Sequence, residues 1–178
     1  MNFAKWGISL AEMKGEKWPG VPVRSPAPEE TWYRAVSVNA PTGIVFRWIC
    51  QLRAAPYSYD WIDNLGRQSP RQLADKTEPL RVGDSVMTIF RVADFADDSS
   101  LTIVRWSSPS VFFCDLRVTY LCLPVDEGQT RLLVRVQIRY PKHLLRPLIR
   151  AFLPLGDLVM MRKQLLTLKH LAEQSSRE

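Results

Sequence analysis

Residues 128–140 read GQTRLLVRVQIRY, and their pattern decides the fold class. From Arg131 to Tyr140, apolar and polar side chains alternate with a period of two. Leu132, Val134, Val136, Ile138 and Tyr140 point one way; Arg131, Leu133, Arg135, Gln137 and Arg139 point the other. Successive side chains of an extended strand fall on opposite faces, so this is a strand with one covered face and one wet face. Strands of an all-parallel sheet are apolar on both faces, so the alternation predicts antiparallel pairing.

Working outward, Asp126, Glu127 and Gly128 form a tight turn, and the preceding run repeats the pattern. Val111 to Leu123 carries Phe112, Cys114, Leu116, Val118, Tyr120 and Cys122 on one face. Leu101 to Trp106 is a further strand, between turns at Asp97–Ser99 and Ser107–Pro109. From Asp84, Val86, Thr88, Phe90 and Val92 alternate with Ser85, Met87, Ile89 and Arg91, which predicts one unbroken strand. Such short connections favour antiparallel neighbours. Thr31 to Asn39 (TWYRAVSVN) is the first strand of the body, rich in β-branched and aromatic residues. Pro41 then opens a helix, at a position where its missing N–H costs nothing. Ile44, Val45, Trp48, Ile49 and Leu52 form its apolar stripe, and it ends before Pro56. Residues 56–76 read as a short helix followed by a loop. Residues 1–30 read as an irregular arm, with Pro19, Pro22, Pro26 and Pro28 within ten residues and Trp6 and Trp18 pinning it to the body. Residues 31–178 form the single domain.

On the C-terminal side the period becomes helical after Pro141 and continues to about Gln174. Pro147 and Pro154 are expected to kink or divide this helix, with Asp157 capping its last part. Leu158, Met161, Leu165, Leu168 and Ala172 lie along one face, widened by Met160, Leu166 and Leu171.

A strand, a short helix pair, a run of antiparallel strands and a long terminal helix make an α+β architecture, with helices on one face of the sheet. The segments NAPTGIVFRWI (39–49), GQTRLLVRVQIRY and GDLVMMRKQLLTLKHLAE (156–173) give the chain a layout that resembles the START-like, SRPBCC superfamily over roughly residues 31–174. That superfamily has the helix-grip fold, a curved antiparallel sheet wrapped on a long C-terminal helix. Its bacterial members are often polyketide cyclase/dehydrase or lipid-transport proteins. The resemblance implies a hydrophobic pocket between sheet and helix. It implies no particular reaction, since one fold hosts many functions.

The ligand class expected is an apolar small molecule: a lipid, a polyketide-like compound or an aromatic. The candidate lining is Trp61, Met87, Leu116, Val118, Val134, Val136, Leu158, Met161 and Leu165. An enzyme on the same scaffold would draw on Asp60, Asp63, Tyr57 and Tyr59. At i and i+3 of a helix the two carboxylates share a face, and an aromatic roof would raise their pKa into the range of acid–base work. Acids beside Asn64 and Gly66 also serve turns, or pair with Arg67 and Arg71, and aromatics with one polar handle suit a pocket rim.

His143 and His170 have no partners at metal-ligand spacing, so neither a metal nor a cofactor is expected. No GxSxG, P-loop or GxGxxG is present, which removes support for an α/β-hydrolase, a nucleotide triphosphatase or a Rossmann enzyme. The net charge of the 178 residues is +6. From Lys142 to Glu178 seven Lys or Arg face three acids, so a further expectation is an interaction module whose basic C-terminal helix makes peripheral contact with a membrane or docks on a protein partner. Nucleic acid is not an expected partner: the aromatic nearest Arg135 and Arg139 is Tyr140, on the other face of their strand. Three cysteines, Cys50, Cys114 and Cys122, do not make a disulfide framework, and Cys114 and Cys122 on one strand would lie roughly 26 Å apart. A reducing cytoplasm is therefore the expected compartment. The N-terminal residues lack the apolar core of a signal peptide.

Overall fold

The computed structural model describes residues 5–15, 18–19, 27–59, 61, 66–74, 79–87, 89–105, 114–142 and 144–178. A seven-stranded sheet runs in the order β1-β2-β7-β6-β5-β4-β3. Its strands are β1 (Lys5–Trp6), β2 (Glu30–Val38), β3 (Ser85–Val86), β4 (Phe90–Ala96), β5 (Ser100–Arg105), β6 (Asp115–Asp126) and β7 (Gln129–Arg139). All pairings are antiparallel except β1 with β2. Among the described residues three helices accompany it: α1 (Leu10–Gly15), α2 (Thr42–Cys50, prolonged by a 3-10 turn at Gln51–Arg53) and the long α3 (Arg146–Ser175).

The alternation in β7 is obeyed residue by residue. Leu132, Val134, Val136, Ile138 and Tyr140 are buried in one core with Val118, Tyr120 and Cys122 of β6. The second half of α3 closes that core with Met161, Leu165, Leu168, Leu171 and Ala172, while α2 adds Val45, Phe46, Trp48 and Ile49. Trp48 Nε1 donates to Ser175 Oγ at 3.2 Å and ties α2 to the end of α3. Glu173 accepts from the Asn39 N–H at 2.8 Å, and Lys169 donates to the Ser37 carbonyl at 2.7 Å. The sheet bends at irregularities between Val92 and Asp94 and between Pro124 and Asp126, as bulges do.

Several expectations need correction. The run from Asp84 is not one strand. The chain reverses after Val86, so that Val86 pairs with Phe90 and Ser85 with Arg91. Met87 adopts φ 46° and its carbonyl accepts the Ile89 N–H at 2.7 Å, a hairpin bend that alternation alone does not reveal. Pro154 does not divide the terminal helix, and Pro147 sits in its first turn. Ile149 and Leu153 before Pro154 and Met161 after it pack on the same core, so tertiary packing carries the helix across the missing hydrogen bond. With no break to cap, Asp157 lies inside the helix and turns inward to Arg34, 2.8 Å away.

The outer face of the sheet is not wholly wet either. Ala35, Leu121 and Leu133 are buried beneath Ile8 and Trp18. Within the arm, β1 and α1 are regular, and Glu12 of α1 accepts Arg131 Nε at 2.6 Å. This contact holds the Glu12 carboxyl down at about 2. Arg135 stacks 4.9 Å from the Trp18 ring and pairs across the strands with Tyr33, so it has aromatic neighbours other than Tyr140. The readings placed on Thr88, Trp106 to Phe112 and His143 lie outside the described residues.

Candidate functional site

A pocket of about 760 Å³ opens between the segment 57–71 and the second half of α3. Tyr57, Ser58, Tyr59, Trp61 and Pro70 line one side; Arg162, Leu166, His170 and Leu171 line the other. Its volume lies in the ~300–1,000 Å³ range of small-molecule sites.

Two buried glutamines hold this architecture. Gln51, in the 3-10 turn, donates through Nε2 to Tyr57 Oη at 2.7 Å and to the Gln72 carbonyl at 2.9 Å. Its Oε1 accepts the Ala74 N–H at 3.1 Å, so a single side chain fixes both ends of the pocket segment. Tyr57 is 1% exposed, packs edge-on to Trp48 at 5.8 Å, and takes a left-handed φ of 56°. A bulky residue at such a φ is strained and persists only where its surroundings over-determine it. Gln164, on α3, donates to the Pro56 carbonyl at 2.7 Å and accepts from Tyr120 Oη at 2.8 Å. It therefore ties helix, sheet and pocket segment together. Burial pushes the Tyr120 hydroxyl up, so it stays protonated and serves as the donor.

A buried ion pair joins β2 to α3. Arg34 of β2 is fully buried and donates through Nη2 to Asp157 and through Nη1 to the Tyr33 carbonyl at 2.9 Å. Burial pushes the Asp157 carboxyl up to about 6, against the opposing pull of the guanidinium beside it. The same burial lowers the Arg34 pKa. Desolvation outweighing attraction in both partners is the common balance for buried ion pairs.

The candidate residues separate into groups. Trp61, 76% exposed, lines the pocket together with the half-buried Tyr59 and the buried Tyr57. Val118, Val134, Val136, Met161 and Leu165 are buried together between sheet and helix, with Leu116 and Met87 packed against them. Leu158 is half-buried on α3. Asp60 and Asp63 lie outside the described residues. All three cysteines are free thiols, and burial pushes Cys50 up to about 11. Among the described residues, no three His, Cys, Asp or Glu side chains gather where a metal would sit. None of the described helices is long and apolar enough to cross a membrane.

Arg34, Gln51 and Gln164 are absent from the candidates, yet two of them, Arg34 and Gln164, carry a signal. Arg34 shares the parity of Trp32, Val36 and Val38 on β2, the inward register. Gln164 falls within the apolar spacing of Met161, Leu165 and Leu168. A polar residue on an inward face needs a buried partner, and that need is visible in the sequence.

The comparisons with known proteins speak for the architecture. Protein CV1439 from Chromobacterium violaceum superposes with a TM-score of 0.53 at 14% identity, over 80% of this chain and 96% of that one. Protein MLL2253 from Mesorhizobium loti gives 0.51 at 15%, over 82% and 98%. The di-domain ARO/CYC BexL of the BE-7585A biosynthetic pathway gives 0.56 at 13%, over 84% of this chain and 48% of that one. The chain has the helix-grip fold. No family model matches the sequence, and no curated protein matches it. In the helix-grip frame, α3 is the gripped helix, and the pocket lies along its second half beside the segment that follows α2.

Proposed function

We propose that this helix-grip domain binds an apolar small molecule, lipid-like, polyketide-like or aromatic, in the pocket between segment 57–71 and α3. The observation that carries the reading is the pocket itself: about 760 Å³, with Tyr57, Tyr59 and Trp61 facing Leu166 and Leu171. The lining also carries Ser58, Gln68, Ser69, Arg71, Arg162, Lys163, Thr167 and His170, so the aromatic and aliphatic side chains would bury an apolar body while these groups hold a polar end of the ligand. The inward residues Val118, Val134, Val136, Met161 and Leu165 are packed in the core between sheet and helix and are not among the residues that line this pocket.

A cyclase- or dehydratase-type reaction in the same pocket is the second reading. It is favoured by Tyr59, Lys163 and His170 in the lining, groups able to hold or pass a proton. A reaction would add the two acids of segment 60–63. In that case Asp60→Asn or Asp63→Asn abolishes turnover and leaves the melting temperature nearly unchanged.

Native mass spectrometry of freshly purified protein, with titration of a fluorescent fatty acid, tests binding. Leu166→Trp fills the pocket from a position 36% exposed, so the fold tolerates it. Binding weakened at least tenfold by Leu166→Trp is the expected result. Equal affinity in wild type and variant would show that the ligand sits elsewhere.

A further inference from the structure

The first half of α3 carries an apolar face that the rest of the described structure leaves in solvent. Leu144, just before the helix, is 96% exposed, and Leu148, Phe152, Leu155 and Val159 are 55%, 65%, 47% and 45% exposed. They follow one another at four, four, three and four residues, so they form one stripe on the helix surface. At 1.5 Å per residue the stripe is on the order of 20 Å long. Ala151 and Gly156 beside it are also exposed and leave its flanks smooth. Contiguous exposed apolar surface of this kind marks an interaction site.

The charges at its margins say what covers it. From Lys142 to Lys163 the described residues include Lys142, Arg146, Arg150, Arg162 and Lys163 against one acid, Asp157. Asp157 turns inward to Arg34 and so presents nothing outward. Arg146 and Arg150 are held at the rim by Glu29 at 2.6 Å and Glu30 at 2.9 Å, which leaves a net excess of three cations around the stripe. A second copy of the chain is a poor occupant. Stacked on itself in either direction, the stripe sets cations at each end against cations, with no acid to answer them. An anionic lipid surface answers both features, since a helix with an apolar face and a cationic margin lies in the headgroup region.

We propose that the first half of α3 is a membrane-docking surface, seated on anionic bilayers with Phe152 and Leu155 inserted and Lys142, Arg162 and Lys163 against the headgroups. Its apolar stripe and Lys142 lie outside the pocket lining, whose α3 wall begins at Arg162, so the variants below leave the pocket walls unchanged. The test is flotation of the full chain with phosphatidylcholine vesicles, pure or containing 30% phosphatidylglycerol (~30%, a typical anionic fraction). Binding is expected only to the anionic vesicles, weakening steeply with added salt. The double variant Phe152→Asp/Leu155→Asp lowers it at least tenfold, with an unchanged melting temperature because both side chains are exposed. Lys142→Glu lowers it at least fivefold, about the effect of one cation near an anionic surface. Three results would overturn the proposal: no binding to either vesicle, equal binding by wild type and the double variant, or a dimer in sedimentation velocity that Phe152→Asp/Leu155→Asp dissolves. The last would hand the face to a second copy.

Discussion

The two halves of α3 are one helix with two fates. Its second half sends Met161, Leu165, Leu168 and Ala172 into the core and is gripped by the sheet. Its first half has a comparable apolar content, yet Leu148, Phe152, Leu155 and Val159 face outward. Between them stand Pro154, without an N–H to donate, and Asp157, bound to Arg34. The contrast teaches that apolar periodicity says which face wants to leave water. It does not say what will cover that face.

The sharpest break of this contrast is at the junction. Asp157→Leu leaves a fully buried Arg34 guanidinium without its carboxylate acceptor, and the loss should reach about 3–5 kcal/mol. Urea unfolding measures it, and the double variant Arg34→Met/Asp157→Leu should recover most of the loss, because it leaves neither charge in the core. A loss below about 1 kcal/mol in the single variant would mean that Arg34 finds water or another partner, and that the junction does not hold the helix.

The next test compares the halves directly. Leu165 is fully buried, so Leu165→Ala should cost about 2–5 kcal/mol. Phe152→Ala, at 65% exposure in the other half, should stay within about 0.5 kcal/mol. Equal losses in thermal denaturation would show that the first half is covered in solution and would erase the distinction.

The smallest effect is a slope with pH. The folded value for Asp157 is about 6, above the ordinary 3.8, so the native state holds this proton more tightly than the unfolded chain. Stability from this group is therefore greatest at low pH and falls as pH rises toward 6, by on the order of 2 kcal/mol. Glu12 has the opposite sign, since its value is lowered to about 2 and its contribution is lost as pH falls below about 4.5. The window from pH 4.5 to 6 thus isolates Asp157. Denaturant midpoints should decline across it in wild type and stay flat in Asp157→Asn. A wild-type midpoint that rises across the window would place the Asp157 carboxyl below its ordinary value.

Much of this architecture is legible residue by residue. The alternation of β6 and β7 places the inward face correctly, from Val118 and Tyr120 to Val136 and Ile138. The spacing Met161–Leu165–Leu168–Ala172 marks the gripped face of α3, and Pro41 stands at the start of α2. The hairpin at Met87 escaped, because a bend that preserves alternation on both sides leaves no trace in the period. The site was legible in part. Tyr57, Tyr59 and Trp61 are in the pocket lining, but the glutamines that position them are not apolar, titratable or spaced as a motif.

The sequence by itself determined which faces are apolar and which elements exist, because side-chain period follows directly from backbone geometry. Only the tertiary structure decided how those elements share their polar partners. Arg34 and Asp157 lie 123 residues apart, as β2 and α3 do in the chain, and their pairing exists only once the helix has crossed the sheet. The same holds for Gln164, which joins Tyr120 and the Pro56 carbonyl across three separate elements. Apolar burial is non-directional and can be read one element at a time. A buried hydrogen bond requires two particular groups within about 3 Å, and only the assembled fold brings them together.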